Sequence, residues 1–276
     1  MNNKKLQVGI IGLGRWGKNI LKTFLEIENV NLAAVSTRNK DLFSQIPEEC
    51  KIFYYWEDLI SNSNLDGLII SSPAETHFKI AKHSLDKGIN TLVEKPLTLN
   101  LKEAQILKSI SIEKKILLMT EFTQIFNPKF KKLKESLDLV GNLKYINTEA
   151  GNFGPFRKKT PVLFDWGSHE LSILISLIGS LPQKIYAKKI YEKYNEEGDE
   201  SNWEIFCEFK NNLKTKSIIG NNKNKVRKIT VSGDKGILFL DDLSQDALQY
   251  YKFQENTKKY KEKISSVKIG NKKKPL

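Results

Sequence analysis

The feature that most limits what this chain can fold into is Gly12-x-Gly14-x-x-Gly17, set behind the apolar run 6–11 and ahead of a helical pattern. In a strand–turn–helix of this kind the first glycine permits the tight turn. The second lets the backbone approach a pyrophosphate, and the third lets the helix pack closely on the strand. About eighty residues later a second apolar run, 90–93, ends in Glu94-Lys95-Pro96. In this order and spacing the two features describe a dinucleotide-binding fold with a lysine at the mouth of its sheet. A lysine there can reach both a nicotinamide cofactor and an alcohol or ketone beside it.

The surrounding pattern supports that fold. Apolar runs at 6–11, 31–36, 67–71, 90–93 and 116–119 read as short buried strands. Between them, 16–28, 75–87 and 100–112 carry apolar residues at helical spacing, and Asn100 with Glu103 makes a capping pair. Strand–helix alternation predicts an α/β fold over residues 1–122, an N-terminal Rossmann doubly wound parallel sheet. After Phe126-Asn127-Pro128 the rhythm changes. A helix at 129–139, a strand at 143–150 and a helix at 164–178 precede apparent strands at 184–191, 203–209, 214–220, 225–232 and 236–240. This predicts a C-terminal α+β domain over 123–276, with a largely antiparallel sheet covered by helices on one side. Its open face is expected to be apolar and to pair with another copy, giving a homodimer or homotetramer.

Composition sets bounds on the partners. A chain of 276 residues with 39% hydrophobic and 28% charged residues suits two modest globular domains. Its net charge of +13 is uneven, at +2 over residues 1–122 and +11 over 123–276. Residues 258–276 alone hold eight lysines and one glutamate. Such a run reads as a solvated tail. The basic half is rich in Lys and Asn and lacks interleaved aromatics for base stacking, so no nucleic-acid partner is expected. The apolar stretch 171–179 is too short and too interrupted by serine to span a bilayer, so no membrane role is expected either. Cys50 and Cys207 show no paired spacing, and no leader-type cleavage site follows the basic start; both point to reduced thiols and a cytoplasmic protein. No His/Cys cluster suggests a metal.

Several side chains then become candidates. Arg15 and Trp16 lie inside the glycine turn with Gly12, Gly14 and Gly17, on the cofactor's path. The second strand ends in Ser36-Thr37-Arg38, with no acid before Asp41. An acid there would bond the ribose hydroxyls of NAD and repel a 2′-phosphate. Hydroxyls and a guanidinium suit that phosphate, which tilts NAD(P) choice toward NADP, unless Arg38 is an ordinary surface residue. Ser72-Pro73 would run along the cofactor at a strand's carboxyl end, and Glu94 and Lys95 would meet it from the next. His77 stands on the same edge, either as part of the cofactor site or as a packing or capping residue. Asp165 and His169, four apart at the start of an apolar helix, would share one face, where a carboxylate fixes the imidazole tautomer for proton transfer. The alternative makes Asp165 a helix cap.

Taken together, these residues resemble the Gfo/Idh/MocA oxidoreductases. The matching pieces are Gly12-x-Gly14-x-x-Gly17, Ser72-Pro73 with His77, Glu94-Lys95-Pro96, and Asp165-x-x-x-His169 running on to Leu177-Ile178-Gly179. The resemblance implies Lys95, Asp165 and His169 as the catalytic set, with Asp165 and His169 also contacting substrate. The stretch Gly154-Pro155-Phe156-Arg157 is similar to members linked to cell-surface sugar synthesis, which implies Arg157 as a contact to an anionic substrate. Ser172 stands where many members have Asp. The resemblance implies an NAD(P)-dependent dehydrogenase or reductase acting on the CH–OH group of a sugar or nucleotide sugar. Two other classes stay open: an NAD-dependent glycosidase on the same scaffold, and a non-enzymatic dinucleotide-binding sensor or co-regulator.

Overall fold

The computed structural model describes residues 4–253 and 265–266. It divides into two compact units, one up to Glu121 and one from Phe122 onward. The lysine-rich run 258–276 lies outside the described residues apart from Ser265 and Ser266.

In the first unit β1 (Leu6–Ile11) feeds α1 (Gly17–Leu25), then β2 (Val30–Ser36) and β3 (Lys51–Phe53). The elements α2 (Trp56–Asn62), β4 (Gly67–Ile70), α3 (Ala74–Asp86), β5 (Asn90–Glu94), α4 (Leu101–Lys114) and β6 (Leu118–Glu121) follow. All strands run parallel in the order β3-β2-β1-β4-β5-β6. The order reverses direction beside β1, the position where open α/β sheets bind ligands. Side-chain alternation sends Val8 and Ile10 of β1 into one apolar cluster and Ile11 into another, one on each face of the sheet. Fully burying a side chain such as Ile10 or Ile70 contributes about 1.5–3 kcal/mol. Asn100 caps α4 as expected, its side chain accepting from the Lys102 N–H at 2.8 Å.

The second unit opens with α5 (Pro128–Glu135), capped by Asn127 with Pro128 in its first turn. It continues through β7 (Leu143–Phe153), α6 (Val162–Asp165) and α7 (Gly167–Ile178), which Gly179 ends in the left-handed conformation. Then come β8 (Lys184–Asn195), β9 (Gly198–Glu208), β10 (Lys214–Gly220), β11 (Asn222–Gly233), β12 (Gly236–Asp241), β13 (Leu248–Lys252) and β14 (Ser265–Ser266). The sheet order is β14-β13-β12-β11-β7-β10-β9-β8, antiparallel throughout except for the parallel pair β7–β10. Ile146, Ile205, Ile219, Ile229 and Val231 line its inner face and pack with Ile173, Leu174 and Leu177 of α7. No helix among the described residues is long and apolar enough to cross a membrane. Cys50 and Cys207 are both buried, one in each unit, and burial pushes the Cys50 thiol up to about 12.

Two sequence expectations need correcting, and some elements go beyond them. The short β3 and α2 and the tyrosine-rich β13 were not anticipated. The single helix expected at 164–178 is two, broken at Trp166, so Asp165 ends one segment and His169 lies in the first turn of the next. The outer face of the second sheet is no continuous apolar patch. Tyr186, Phe206 and Ile218 share it with the ion pairs Lys216–Glu204 at 2.6 Å and Lys223–Glu149 at 2.7 Å.

Candidate functional site

The carboxyl edge of the first sheet is built from its glycine turn outward. Gly12 sits at φ +92°, and a Cβ there would lie 2.7 Å from the Ser72 backbone nitrogen; one on Gly17 would lie 2.2 Å from the Gly12 carbonyl oxygen. Gly14 has nothing within 4 Å of that position, so its backbone faces open space. The turn is tied down on both sides. The Gly12 N–H donates to the Ser36 carbonyl at 2.9 Å, and the Ser71 hydroxyl donates to the Gly12 carbonyl at 2.5 Å. The first turn of α1 holds no acidic residue, so nothing on it offsets the positive end of the helix. A rigid turn, open backbone and unneutralised helix start fit a dinucleotide pyrophosphate. Arg15 and Trp16 are exposed on this turn.

Beside it, β2 ends in Ser36 and Thr37, both buried, followed by exposed Arg38. The Thr37 hydroxyl accepts from the Asn39 N–H at 3.1 Å and keeps its proton to donate. The Arg38 guanidinium lies over the Tyr54 ring, 5.5 Å from its centre. The β2–β3 register pairs Ser36 with Phe53, which brings the residues just beyond, Arg38 and Tyr54, to one edge.

On the other side of β1, Ser72 and Pro73 lead into α3. The Ser72 and Thr76 hydroxyls are 2.7 Å apart, and Thr76 also donates to the Pro73 carbonyl. His77 is placed differently from the cofactor contact that its position suggested. Its ring is 1% exposed, with Nδ1 at 2.8 Å from the Pro96 carbonyl and Nε2 at 2.8 Å from the Ser72 carbonyl. With both nitrogens engaged, His77 joins the loop after β4 to the corner after β5 and leaves no ring nitrogen for a ligand. Burial lowers its pKa, while the two carbonyls favour the charged ring. Glu94 closes β5 and the half-buried Lys95 follows it, with a cis bond to Pro96.

In the second unit, Asp165 is held by Arg157, whose Nε donates to Oδ2 at 3.1 Å. The Asp165 side chain is 13% exposed and that of Arg157 50%. Arg157, expected to meet substrate, thus spends its Nε–H on the carboxylate, a charge-assisted bond that fixes Asp165. His169 follows in the first turn of α7, its ring edge-on to Phe122 at 6.4 Å. The Ser172 hydroxyl turns back onto the His169 carbonyl at 2.7 Å, so it braces the helix. The next residue, Glu170, points inward and is 3% exposed. Its Oε2 has no hydrogen-bond partner, and burial pushes its pKa up to about 7 against the opposing effects of Thr148, Arg227 and Lys223.

Tyr54, Glu121 and Glu170 escaped the sequence reading. Glu121 was detectable as an acid closing an apolar run at the sheet's carboxyl edge, and Glu170 as an acid inside an apolar helix.

Comparison with known proteins identifies the family of both units. An oxidoreductase family with an NAD-binding Rossmann fold matches residues 6–122, and that family's C-terminal alpha/beta domain matches residues 150–272. The chain is 23% identical to a myo-inositol 2-dehydrogenase of Thermotoga maritima over 257 residues, covering 87% of this chain and 76% of that protein. It is 26% identical to a UDP-N-acetylglucosamine 3-dehydrogenase of Acidithiobacillus ferrooxidans over 187 residues, spanning 66% of this chain and only 57% of that protein. A crystal structure from Magnetospirillum magnetotacticum MS-1 aligns at a TM-score of 0.87 and 28% identity, covering 98% of this chain and 88% of that one.

Proposed function

Because the chain belongs to the Gfo/Idh/MocA oxidoreductase family, we propose that it moves a hydride between a nicotinamide and a ring carbinol carbon of a sugar or nucleotide sugar. A bound nicotinamide supplies the hydride acceptor or donor. His169 takes or returns the hydroxyl proton, and Lys95 stabilises the oxyanion that develops as the proton leaves. Asp165 orients His169 or a substrate hydroxyl, and Arg157 positions Asp165. The observation that most supports this reading is the Arg157–Asp165 pair, which fixes a carboxylate four residues ahead of His169, across the break at Trp166. Named relatives that oxidise an inositol and a nucleotide sugar support the substrate class. The test is product analysis with inositols, free sugars, nucleotide sugars and an aryl glycoside. Reduced cofactor formed in step with a ketone is the expected result. Aryl glycoside cleavage with no net cofactor reduction would replace the reading with that of a glycosidase.

The adenosine edge supports NADP(H) as the tighter cofactor. Thr37 and Arg38 offer donors where an acid would repel a 2′-phosphate, and Tyr54 steadies the guanidinium by a contact worth about 0.5–1 kcal/mol at an exposed site. A hydrogen bond to a charged group contributes about 1.5–3 kcal/mol, or roughly ten- to a hundred-fold in affinity. Arg38→Ala is therefore expected to weaken NADP(H) by that factor and leave NAD(H) nearly unchanged in calorimetry. Equal affinities in the parent protein, or an unchanged preference in the variant, would return the assignment to NAD.

For assembly, the outer sheet face supports pairing with a second copy. Its aromatic residues stand among cation–carboxylate pairs, a mixture suited to a self-complementary interface. Light scattering at micromolar concentration is expected to give a dimer or a larger even-numbered oligomer. A monomer mass would contradict this.

A further inference from the structure

Glu121 is the last residue of β6, at the carboxyl edge of the first sheet. The β5–β6 register places it beside Glu94, the residue before Lys95. It is 5% exposed, yet neither carboxyl oxygen has a hydrogen-bond partner among the described residues. The Trp16 indole, from the glycine turn, comes near enough to favour the ionised form, although its geometry closes no hydrogen bond to either oxygen. Leaving a buried polar group unpaired costs about 1–3 kcal/mol, and more if it is charged. Such groups in a folded protein call for an explanation, and a missing ligand is one.

The sheet order says which ligand group belongs there. With the pyrophosphate on the turn after β1 and the adenosine over the end of β2, the nicotinamide half falls on the side of β4, β5 and β6. The nicotinamide carries a primary carboxamide, with N–H donors and a carbonyl acceptor. A neutral carboxylic acid is its complement, since it donates through O–H and accepts through C=O, whereas a carboxylate only accepts. Desolvation raises the Glu121 pKa, in the direction that keeps the acid neutral.

We propose that Glu121 is the residue that recognises the nicotinamide carboxamide, exchanging two hydrogen bonds with it as a neutral acid. This rests on the dinucleotide reading above. The test is calorimetric titration of the whole chain with three ligands. They are NADP+, its 3-acetylpyridine analogue, whose methyl ketone lacks the amide N–H groups, and 2′-phospho-ADP-ribose, which lacks the nicotinamide. The parent protein is expected to bind the analogue about ten-fold more weakly than NADP+. Glu121→Leu should weaken NADP+ by a similar factor, leave 2′-phospho-ADP-ribose unchanged and no longer distinguish the analogue. Glu121→Gln, which keeps a neutral donor and acceptor, should retain the discrimination. Equal binding of NADP+ and analogue by the parent overturns the proposal. So does a Glu121→Leu variant that binds as the parent does, or that weakens all three ligands alike. NAD+, its 3-acetylpyridine analogue and ADP-ribose are titrated alongside, with the same pattern expected; a parent that binds none of the six removes the dinucleotide reading itself, and the proposal with it.

Discussion

His169→Ala and Lys95→Met are each expected to slow hydride transfer by about two to four orders of magnitude in a single-turnover assay. A single-turnover rate separates the chemical step from cofactor release, which often limits the overall rate. In His169→Ala the cofactor affinity should stay near that of the parent, because the glycine turn and the Arg38–Tyr54 edge are left intact. Arg157→Ala is the milder companion. It releases Asp165 from its fixed position without removing the proton carrier, so the loss should be smaller than in His169→Ala. Unchanged rates in both His169→Ala and Lys95→Met would remove the mechanism.

The second large effect concerns stability and pH. Glu170 rises from 4.5 to about 7 on folding because burial disfavours its charged form. The native state then holds a proton that the unfolded chain releases more readily, so stability falls as pH rises. The penalty is absent below the unfolded value of 4.5, grows between there and about 7, and is complete above that. A shift of this size corresponds to roughly 3 kcal/mol. Glu170→Gln removes the ionisation while keeping the shape, so its stability advantage over the parent should open across that window and level off near roughly 3 kcal/mol. Thr148, whose hydroxyl meets Ser217 at 2.8 Å, together with Arg227 and Lys223, faces the same carboxyl and tempers the effect. Denaturant titrations at several pH values measure it. Parallel pH profiles for the two proteins would contradict it.

Where the sequence was legible, one strong physical pattern acted alone. The apolar runs of β1, β4 and β5 are strands buried on both faces, and β10 falls at residues 214–220 as read from its alternation. The glycine turn was legible for the same reason, since Gly12 and Gly17 sit where a side chain would collide with backbone. The failures have different causes. β3 is a three-residue edge strand, too short to establish a period. The start of β9, Gly198–Asp199–Glu200–Ser201, reads as a polar loop, yet Glu200 is bonded by Tyr191 and the Ser201 N–H by Asn221. Buried polar residues satisfied by distant partners leave no local signal. The break at Trp166 is hidden because apolar spacing continues through it. Pairings such as Arg157 with Asp165 and Arg38 with Tyr54 depend on the fold returning to itself, and no motif encodes them.

The most direct test of the central claim follows one atom. A sugar, inositol or nucleotide sugar that supports cofactor reduction is prepared with deuterium on its carbinol carbon and incubated with the protein and oxidised cofactor. The account predicts that one deuterium appears at nicotinamide C4, on a single face, with a ketone formed at the labelled carbon. It also predicts that His169→Ala and Lys95→Met slow this transfer without scrambling it. Turnover that leaves the label on the sugar or loses it to water, with no deuterium in the cofactor, would contradict hydride transfer.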